Sequence, residues 1–289
     1  MTDDNKKSFY LLTNKHKDPS GTITEVIEKY LTDKGMKCVK SSDMQQLQNT
    51  RYLYTNADDV PEDTDCIIAL GGDGTILQAS RDLHHLRIPI LGVNIGTFGF
   101  LTDADKCSVF EALDKYMADD YEIDKRMMIY GEVIRNGEKV YENFALNDAV
   151  ISRSKGLKVI DFDISVNSEY INTYFADGVI ISTATGSTAY SLSAGGPIIQ
   201  PNAKVLIVTP VCPHTVNTRS IVLDSDDEVM IEMTDHKMLG EQREITFDGE
   251  TSFGLARGDK IYIRRFPEMA LFIKTNRISF LQKIRKSFA

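Results

Sequence analysis

The chain has 289 residues and a formal net charge of −9, and its shares of hydrophobic (42%) and charged (26%) residues are ordinary for a globular protein. The acidic balance argues against a nucleic-acid scaffold, which would carry a basic face, and no apolar run approaches the roughly 20 residues that cross a bilayer. The four cysteines are far apart and form no CxxC pair, so neither a disulfide framework nor a zinc site is indicated. We expect a cytoplasmic protein that binds neither nucleic acid nor membrane.

Alternating strands and helices are predicted for residues 1–125. The apolar strand SFYLLTN precedes the helix SGTITEVIEKYLTDKG, whose Thr22 and Glu25 have the spacing of a capping box. The strands TDCIIAL and IPILGVNIG and the helices TILQASRDLHHL and SVFEALDKYMADD follow. Continuous apolar strands between helices indicate an α/β domain with a parallel sheet. In such sheets ligands bind beyond the carboxyl ends of the strands, where the segments GGDGT and NIGTFGF lie.

Short strands separated by turn signals take over after Tyr130. DFDISVNSEYINTYFADGVIIS contains two or three strands, and KVLIVTPV, DEVMIEMTD, REITFDGE and DKIYIRRF continue the pattern. This spacing is typical of an all-β domain built from two layered sheets. We therefore divide the chain into an α/β domain at residues 1–125, a β-rich domain at residues 126–265, and a C-terminal tail at residues 266–289 that packs back on the first domain.

The turn Gly71–Thr75, GGDGT, joins an apolar strand to a helix. Its glycines let a ligand approach the backbone closely, and the amides at a helix N-terminus attract phosphates. The turn matches neither the Walker A motif nor GxGxxG. Asp73 at its centre would repel a phosphate, but in phosphoryl transfer an aspartate accepts the proton of the attacking hydroxyl and Mg²⁺ offsets the repulsion. The alternative is a tight strand-to-helix connection in which Asp73 and Thr75 only cap the helix.

Hydroxyl-bearing and small residues crowd the segment Ser182–Ile198, STATGSTAYSLSAGGPI, around one aromatic residue, Tyr190. Small side chains allow a flat ring and backbone amides to pack closely, and hydroxyls form hydrogen bonds with sugar or amide groups. A serine hydrolase is disfavoured because SLSAG lacks the first glycine of GxSxG. The alternative is a Ser/Thr-rich loop between strands.

Asn147 and Asp148 interrupt the otherwise apolar strand FALNDAVISR. A buried amide beside a carboxylate needs hydrogen-bond partners, and ribose hydroxyls are suitable ones. A hairpin turn of Asn-Asp type explains the same pair equally well. Asp177, in FADGVIIS, fits an ordinary Ala-Asp-Gly turn.

These motifs, in this order and spacing, resemble those of the bacterial-type NAD kinases: GGDGT at Gly71–Thr75, the Asn147–Asp148 pair, and TGSTAYSLSAGGPI at Thr185–Ile198. The similarity extends over nearly the whole chain and includes NIGTFGFL and PHTVNTRSIVL. It implies an N-terminal Rossmann-like α/β domain with a parallel sheet, a C-terminal β-sandwich domain, and ATP-dependent phosphorylation of the 2′-hydroxyl of the adenosine ribose of NAD. The implied substrates are NAD and ATP, and the implied metal cofactor is Mg²⁺.

The resemblance also implies a role for each matching residue. Asp73 is implied as the general base that engages the 2′-hydroxyl. The implied phosphate loop comprises Gly71, Gly72, Gly74 and Thr75. The implied NAD-binding residues are Gly72, Asp73, Gly74, Phe100, Asn147, Asp148, Lys158, Asp177, Thr185, Thr188, Ala189, Tyr190, Ser191, Leu192 and Ser193.

Two further implications concern subunits and charge. Asp177 matches an acid near the nicotinamide that often comes from a neighbouring subunit, and family members are commonly homodimers or homotetramers. Phe175 stands where many relatives have arginine, and Lys158 is the expected substitute for that charge.

Two alternatives to an NAD kinase stay open at this point. Lipid kinases of the diacylglycerol kinase type share the glycine turn and the two-domain plan, but should lack the Tyr190 segment. A non-catalytic sensor of NAD or ADP-ribose would bind the nucleotide without turnover.

Overall fold

The structure is a computed structural model that describes residues 6–41, 55–96, 99–154, 159–214, 219–234, 242–249, 252–276 and 278–287. The chain divides into two compact units, one formed by Met1–Lys125 with Ala270–Ala289 and the other by Arg126–Met269. Within the described ranges, no helix has the length and apolar character needed to cross a membrane.

In chain order, the first strands and α-helices are β1 (Ser8–Thr13), α1 (Thr22–Asp33), β2 (Lys37–Lys40), β3 (Cys66–Gly71), α2 (Asp73–Asp82), β4 (Ile90–Asn94), β5 (Ala104–Asp105) and α3 (Val109–Met117). The next elements are β6 (Glu122–Arg135), β7 (Glu138–Ala145), β8 (Asp148–Arg153), β9 (Ile160–Val166), β10 (Glu169–Ala176), β11 (Gly178–Thr183) and α4 (Tyr190–Ser193). The last are β12 (Val205–Val211), β13 (Ile221–Asp224), β14 (Val229–Met233), β15 (Arg243–Phe247), β16 (Phe253–Leu255), β17 (Lys260–Lys274) and α5 (Phe280–Ser287).

A parallel sheet forms the centre of the first unit. Its order is β2–β1–β3–β4, and β4 also pairs in parallel with β5 and with Phe272 of β17. β3 and β4 are buried throughout, as expected for strands in a sheet that is covered on both faces. The strands share one core with α1 and α3, which includes Phe9, Ile27, Ile68 and Leu113. The predicted α/β domain with a parallel sheet is confirmed.

The start of α1 differs from the sequence prediction. The N-cap residue is Gly21, which makes no side-chain cap, and the buried carboxylate of Asp18 accepts the N–H of Thr24 (3.0 Å) instead. The capping box predicted at Thr22 and Glu25 is therefore wrong. A carboxylate from the preceding loop satisfies a free N–H group of the first turn and complements the helix dipole.

Two largely antiparallel sheets form the second unit. One has the order β13–β12–β11–β8–β15–β16, and in the other β10, β9, β14 and β17 pair in that order, with β6 between β17 and β7. Side chains from both sheets meet in one core that contains Ile129, Ile151, Phe162, Ile181 and Phe247. Two sheets packed around one core make a β-sandwich, so the prediction for the second domain is confirmed.

Two of the corners at which the chain passes from one sheet of the sandwich to the other carry predicted site residues. Asn147 lies in the corner between β7 and β8, and Asp177 is the single residue between β10 and β11. Because each corner joins strands of different sheets, neither is a hairpin turn. The hairpin alternative for the Asn147–Asp148 pair is therefore wrong.

Candidate functional site

Asp73 is the first residue of α2, directly beyond the end of β3. Its carboxylate does not cap the helix but accepts the backbone N–H groups of Phe100 (2.8 Å) and Leu101 (3.0 Å), in the loop after β4. A Cβ on Gly99 would overlap Asp73 Oδ1, so the loop approaches the carboxylate this closely only because residue 99 is glycine. The capping alternative for Asp73 is therefore wrong. Each carboxylate oxygen keeps a lone pair that can accept a substrate hydroxyl.

The other residues of the glycine turn divide into structural and accessible positions. Thr75 Oγ1 accepts a hydrogen bond from Asn14 Nδ2 (3.1 Å), which ties the turn to the loop after β1. Gly74 faces open space, because a Cβ there would meet no atom within 4 Å. The structure thus brings the predicted phosphate loop, Gly71–Thr75, together with Phe100 at the carboxyl ends of the parallel strands.

Lys17 also lies at this edge of the sheet, and the sequence analysis missed it. Its Nζ is 2.5 Å from the position that a Cβ on Gly72 would occupy and 3.2 Å from the corresponding position at Gly96. The side chain is exposed, and it makes no hydrogen bond or ion pair within the described parts of the chain. The signal was present in the sequence, because the segment TNKHKD follows the first parallel strand and must emerge at the ligand-binding edge.

The corner that carries Asn147 is held by a second residue that the sequence analysis did not assign. The carboxylate of Asp248 accepts the backbone N–H groups of Leu146 (2.9 Å), Asn147 (2.8 Å) and Asp148 (3.2 Å). Asp248 itself has a left-handed backbone (φ 52°), which marks a tight turn after β15. With the backbone of the corner fixed in this way, the side chains of Asn147 and Asp148 make no hydrogen bond to any described residue.

Asp148 is a buried carboxyl with an unusual affinity for protons. It is 5% exposed, and burial, reinforced by the nearby charge of Asp248, raises its pKa from 3.8 to about 7. Near neutral pH it exchanges readily between a carboxyl that can donate a hydrogen bond and a carboxylate that can accept several. Either form can pair with a ribose hydroxyl.

We expect the stability difference between the wild-type and Asp148→Asn proteins to depend on pH. Because the folded-state pKa of Asp148 is raised from 3.8 to about 7, the folded chain binds more protons between these values and becomes less stable as the pH rises. The variant lacks this titration. We therefore compare the melting temperature of the variant minus that of the wild type at two pH values. This difference should be roughly a few degrees larger at pH 8 than at pH 5. An equal difference at both pH values would contradict the raised pKa.

The Ser/Thr-rich segment packs directly against the Asn147 corner. Thr183 Oγ1 donates to the carbonyl of Leu146 (2.6 Å), and the N–H of Thr183 donates to that of Asn147 (2.8 Å). A Cβ on Gly186 would overlap the carbonyl oxygen of Asn147, so only glycine permits this approach. The structure therefore brings together two of the three predicted motifs within the second unit.

Hydroxyls within this segment mostly serve the fold. Ser187 Oγ donates to the carbonyl of Ala184 (2.7 Å), and the fully buried Ser191 Oγ pairs with Thr209 Oγ1 (3.1 Å). Thr185 Oγ1 accepts from Arg126 (3.3 Å). The Ser/Thr-rich segment is thus more than a loop between strands, since it contains the short helix α4 and its hydroxyls form hydrogen bonds that hold this helix and its flanking turns.

The predicted ligand-binding residues of the segment differ in exposure. Thr185 and Ser191 are buried, whereas Thr188, Ala189 and Leu192 are partly exposed and Ser193 is exposed. Tyr190 is 47% exposed, so its ring is available for stacking. The partly or fully exposed group provides the surface that a ligand can reach.

Asp177 is paired with an arginine of its own unit. Arg153 Nε lies 3.0 Å from Asp177 Oδ1, and Arg153 also donates to Oδ2 (3.2 Å), which is a bidentate pair. The register of β8 and β11 pairs Gly178 with Ser152 and Ser182 with Asp148, so Asp177 lies at the opposite end of these strands from Asp148. Four residues of strand correspond to about 14 Å. The structure therefore does not bring Asp177 to the Asn147 corner, and Lys158 lies outside the described residues.

Comparison with known proteins identifies the family. The models of the N-terminal and C-terminal domains of ATP-NAD kinases match residues 9–121 and 146–275. An NAD kinase of Lachnospira eligens is 52% identical, with 96% of this chain and 99% of the relative covered. An NAD kinase of Lachnoclostridium phytofermentans is 41% identical, with 98% and 99% covered.

Solved structures show the same fold. Yeast NADH kinase complexed with NADH superposes with a TM-score of 0.82 at 22% identity, over 100% of this chain and 89% of that one. An NAD kinase from Archaeoglobus fulgidus in complex with ATP gives a TM-score of 0.73 at 24% identity, over 97% of both chains. Since both domain models match and the relatives align nearly end to end, the chain belongs to the ATP-NAD kinase family.

Proposed function

We propose that the chain transfers the γ-phosphoryl group of ATP to the 2′-hydroxyl of the adenosine ribose of NAD, with Asp73 as the general base. Family membership supports the reaction. The observation that supports the role of Asp73 is the hydrogen bonding of its carboxylate by Phe100 and Leu101, which aims it at the ligand-binding edge of the sheet. A base held in place by its surroundings loses little entropy when the substrate hydroxyl arrives.

The first unit would act on the phosphates. The free amides at the start of α2 and the ammonium of Lys17 supply positive charge beside the glycine turn. Negative charge builds up on the leaving phosphate as its bond to the transferred group breaks, and donors fixed in advance stabilise this charge. Asp73 meanwhile holds the 2′-hydroxyl by accepting its hydrogen bond, and takes its proton as the new bond forms.

The second unit would bind the sugar and the base. The side chains of Asn147 and Asp148, fixed at their backbone by Asp248, offer hydrogen bonds to ribose hydroxyls. The exposed ring of Tyr190 offers a stacking surface. Asp177 would act at the nicotinamide end only if another subunit brings it there, so the predicted homodimer or homotetramer belongs to the same proposal. The cytoplasmic location also stays a prediction.

Magnesium fits this site only as a companion of the nucleotide. No group of three or more His, Cys, Asp or Glu side chains among the described residues is arranged to hold a metal ion. Mg²⁺ commonly keeps several waters and binds through substrate phosphates, so it would lie near Asp73 on the phosphates of the bound nucleotide. When bound, the ion would offset the negative charge of the phosphates.

Incubation of the protein with NAD, ATP and Mg²⁺, followed by an assay with an NADP-specific dehydrogenase, tests the reaction. Formation of NADP is the expected result. Binding of NAD without turnover would instead support the sensor, and phosphorylation of diacylglycerol would support the lipid kinase.

Replacing Lys17 by methionine is expected to raise the KM for ATP by about tenfold or more and to leave the KM for NAD near that of the wild type. A hydrogen bond from an ammonium to a phosphate contributes about 1.5–3 kcal/mol, and the methionine keeps the length of the side chain without its charge. Steady-state kinetics with each substrate varied in turn measures both constants.

Lys29→Met is the matched control for Lys17→Met. Lys29 is an exposed lysine of α1 whose partner is Asp33, so its loss removes the same charge away from the glycine turn. Equal changes in the two variants would mean that Lys17 acts only through net charge.

A further inference from the structure

The C-terminal helix α5 contacts the loop that holds Asp73. Lys283 Nζ donates to the carbonyl oxygens of Phe100 and Thr102, both at 2.8 Å. The same loop directs its amides the other way, toward the carboxylate of Asp73. The loop therefore lies between an ammonium and a carboxylate, and its peptide dipoles are aligned with both charges.

A single peptide group connects the two charges. The carbonyl of Phe100 accepts from Lys283, and the N–H of the same peptide, which belongs to Leu101, donates to Asp73 Oδ1 (3.0 Å). Hydrogen bonds to charged groups are stronger than neutral ones, and successive hydrogen bonds polarise one another. Lys283 thus fixes this peptide and strengthens it as a donor to Asp73.

The far end of the loop is held by the segment before α5. Asp103 Oδ2 accepts from the N–H (2.9 Å) and hydroxyl (2.7 Å) of Thr275, and the carbonyl of Asp103 accepts from Asn276 (2.9 Å). These contacts do not reach the peptide that bonds to Asp73. Lys283, by contrast, donates directly to the carbonyl oxygen of that peptide.

We propose that Lys283 is a positioning residue for phosphoryl transfer, because it holds the loop at residues 99–102 so that the carboxylate of Asp73 stays aligned with the substrate hydroxyl. This inference rests on the proposed function. It assigns a role in turnover to the C-terminal helix, which contains no residue of the glycine turn or of the ribose-binding corner. Removal of Lys283 frees the loop and lets the carboxylate swing away without removing any group that touches NAD.

The test compares Lys283→Met with Lys286→Met and Lys283→Arg. Lys286 lies one turn further along α5 and makes no hydrogen bond with the described residues, so it controls for charge and helix propensity. Lys283→Met should lower kcat by about tenfold or more, since small displacements of a catalytic group cost that much. The KM for ATP should stay unchanged, and the KM for NAD should change by a smaller factor than kcat, because the freed loop also carries Phe100. Lys283→Arg should recover most of the turnover, since a guanidinium can also donate to two carbonyls.

A double-mutant cycle with Asp73→Asn separates positioning from a general structural role. If Lys283 acts through Asp73, Lys283→Met should have little further effect in the Asp73→Asn background. An equal loss of kcat in both backgrounds, or wild-type kcat in Lys283→Met, would overturn the inference. Thermal melts of all variants identify any that fail to fold, and Lys283→Gln, which keeps a shorter neutral donor, then takes the place of Lys283→Met.

The same cycle tells the two proposals apart. If Asp73→Asn loses turnover while Lys283→Met keeps it, only the role of Lys283 fails. If Asp73→Asn keeps full turnover, the proposed base fails first, and the role of Lys283 fails with it.

Discussion

Replacing Asp73 by asparagine is expected to lower the turnover of NAD to NADP by about 100-fold or more while NAD still binds. The amide keeps the size of the carboxylate but cannot take the proton of the 2′-hydroxyl. Its nitrogen also cannot accept one of the two loop N–H groups that the carboxylate now binds, which loosens the alignment further. Steady-state formation of NADP gives the turnover, and calorimetric titration gives the affinity for NAD.

Asp63→Asn is the control for this substitution. Asp63 is an exposed aspartate paired with Lys37, so the same chemical change is made where no substrate is expected. Its turnover should equal that of the wild type. Full turnover in Asp73→Asn would reject the assignment of Asp73 as the base.

Replacing Asp248 by alanine is expected to weaken NAD binding by about tenfold or more and to lower the free energy of unfolding by about 3 kcal/mol. The carboxylate accepts three consecutive backbone N–H groups, from Leu146, Asn147 and Asp148, and all three lose this partner in the variant. The corner can then shift, and with it the side chains proposed to bind ribose. Urea unfolding and calorimetric titration of NAD measure the two effects.

A conservative variant and a control variant accompany the Asp248 prediction. Asp248→Asn should be milder, because one amide oxygen can still accept from Asn147 and Asp148, as Oδ1 does now. Asp227→Ala removes a partly exposed turn aspartate that also accepts a backbone N–H, and should leave NAD affinity unchanged. Wild-type NAD affinity in Asp248→Ala would show that the corner does not need this support.

Local patterns were sufficient to predict the fold class. Continuous apolar strands with helices between them predicted the parallel sheet, because strands buried on both faces are apolar at every position. Short alternating strands predicted the sandwich, because strands buried on one face alternate apolar and polar residues. The start of α1 shows the limit of such patterns. Thr22 and Glu25 have the spacing of a capping box, but the N-cap residue is Gly21. The carboxylate of Asp18 accepts a hydrogen bond from an N–H group of the first turn in their place.

The candidate site was predicted as motifs and only partly as a geometry. The glycine turn stood out because glycines and an acid follow an apolar strand, and the Asn147–Asp148 pair stood out because its polar side chains interrupt one. The sequence did not reveal that Asp177 is paired with Arg153, because the two residues meet only through the register of two neighbouring strands. Lys17 lacked a motif of its own, although its position after the first strand was a usable signal.

By itself, the sequence determined that alternating strands and helices precede a run of short strands, which turn carries glycine and acid together, and where the predicted parallel strands end. Each of these features depends on neighbours along the chain. The tertiary structure alone decided how the acids are held. Asp73 bonds to amides 27 and 28 positions away, Asp248 to amides 100 to 102 positions away, and Lys283 to carbonyls 181 and 183 positions away. Such contacts follow from how whole elements pack, and no local period in the sequence encodes them.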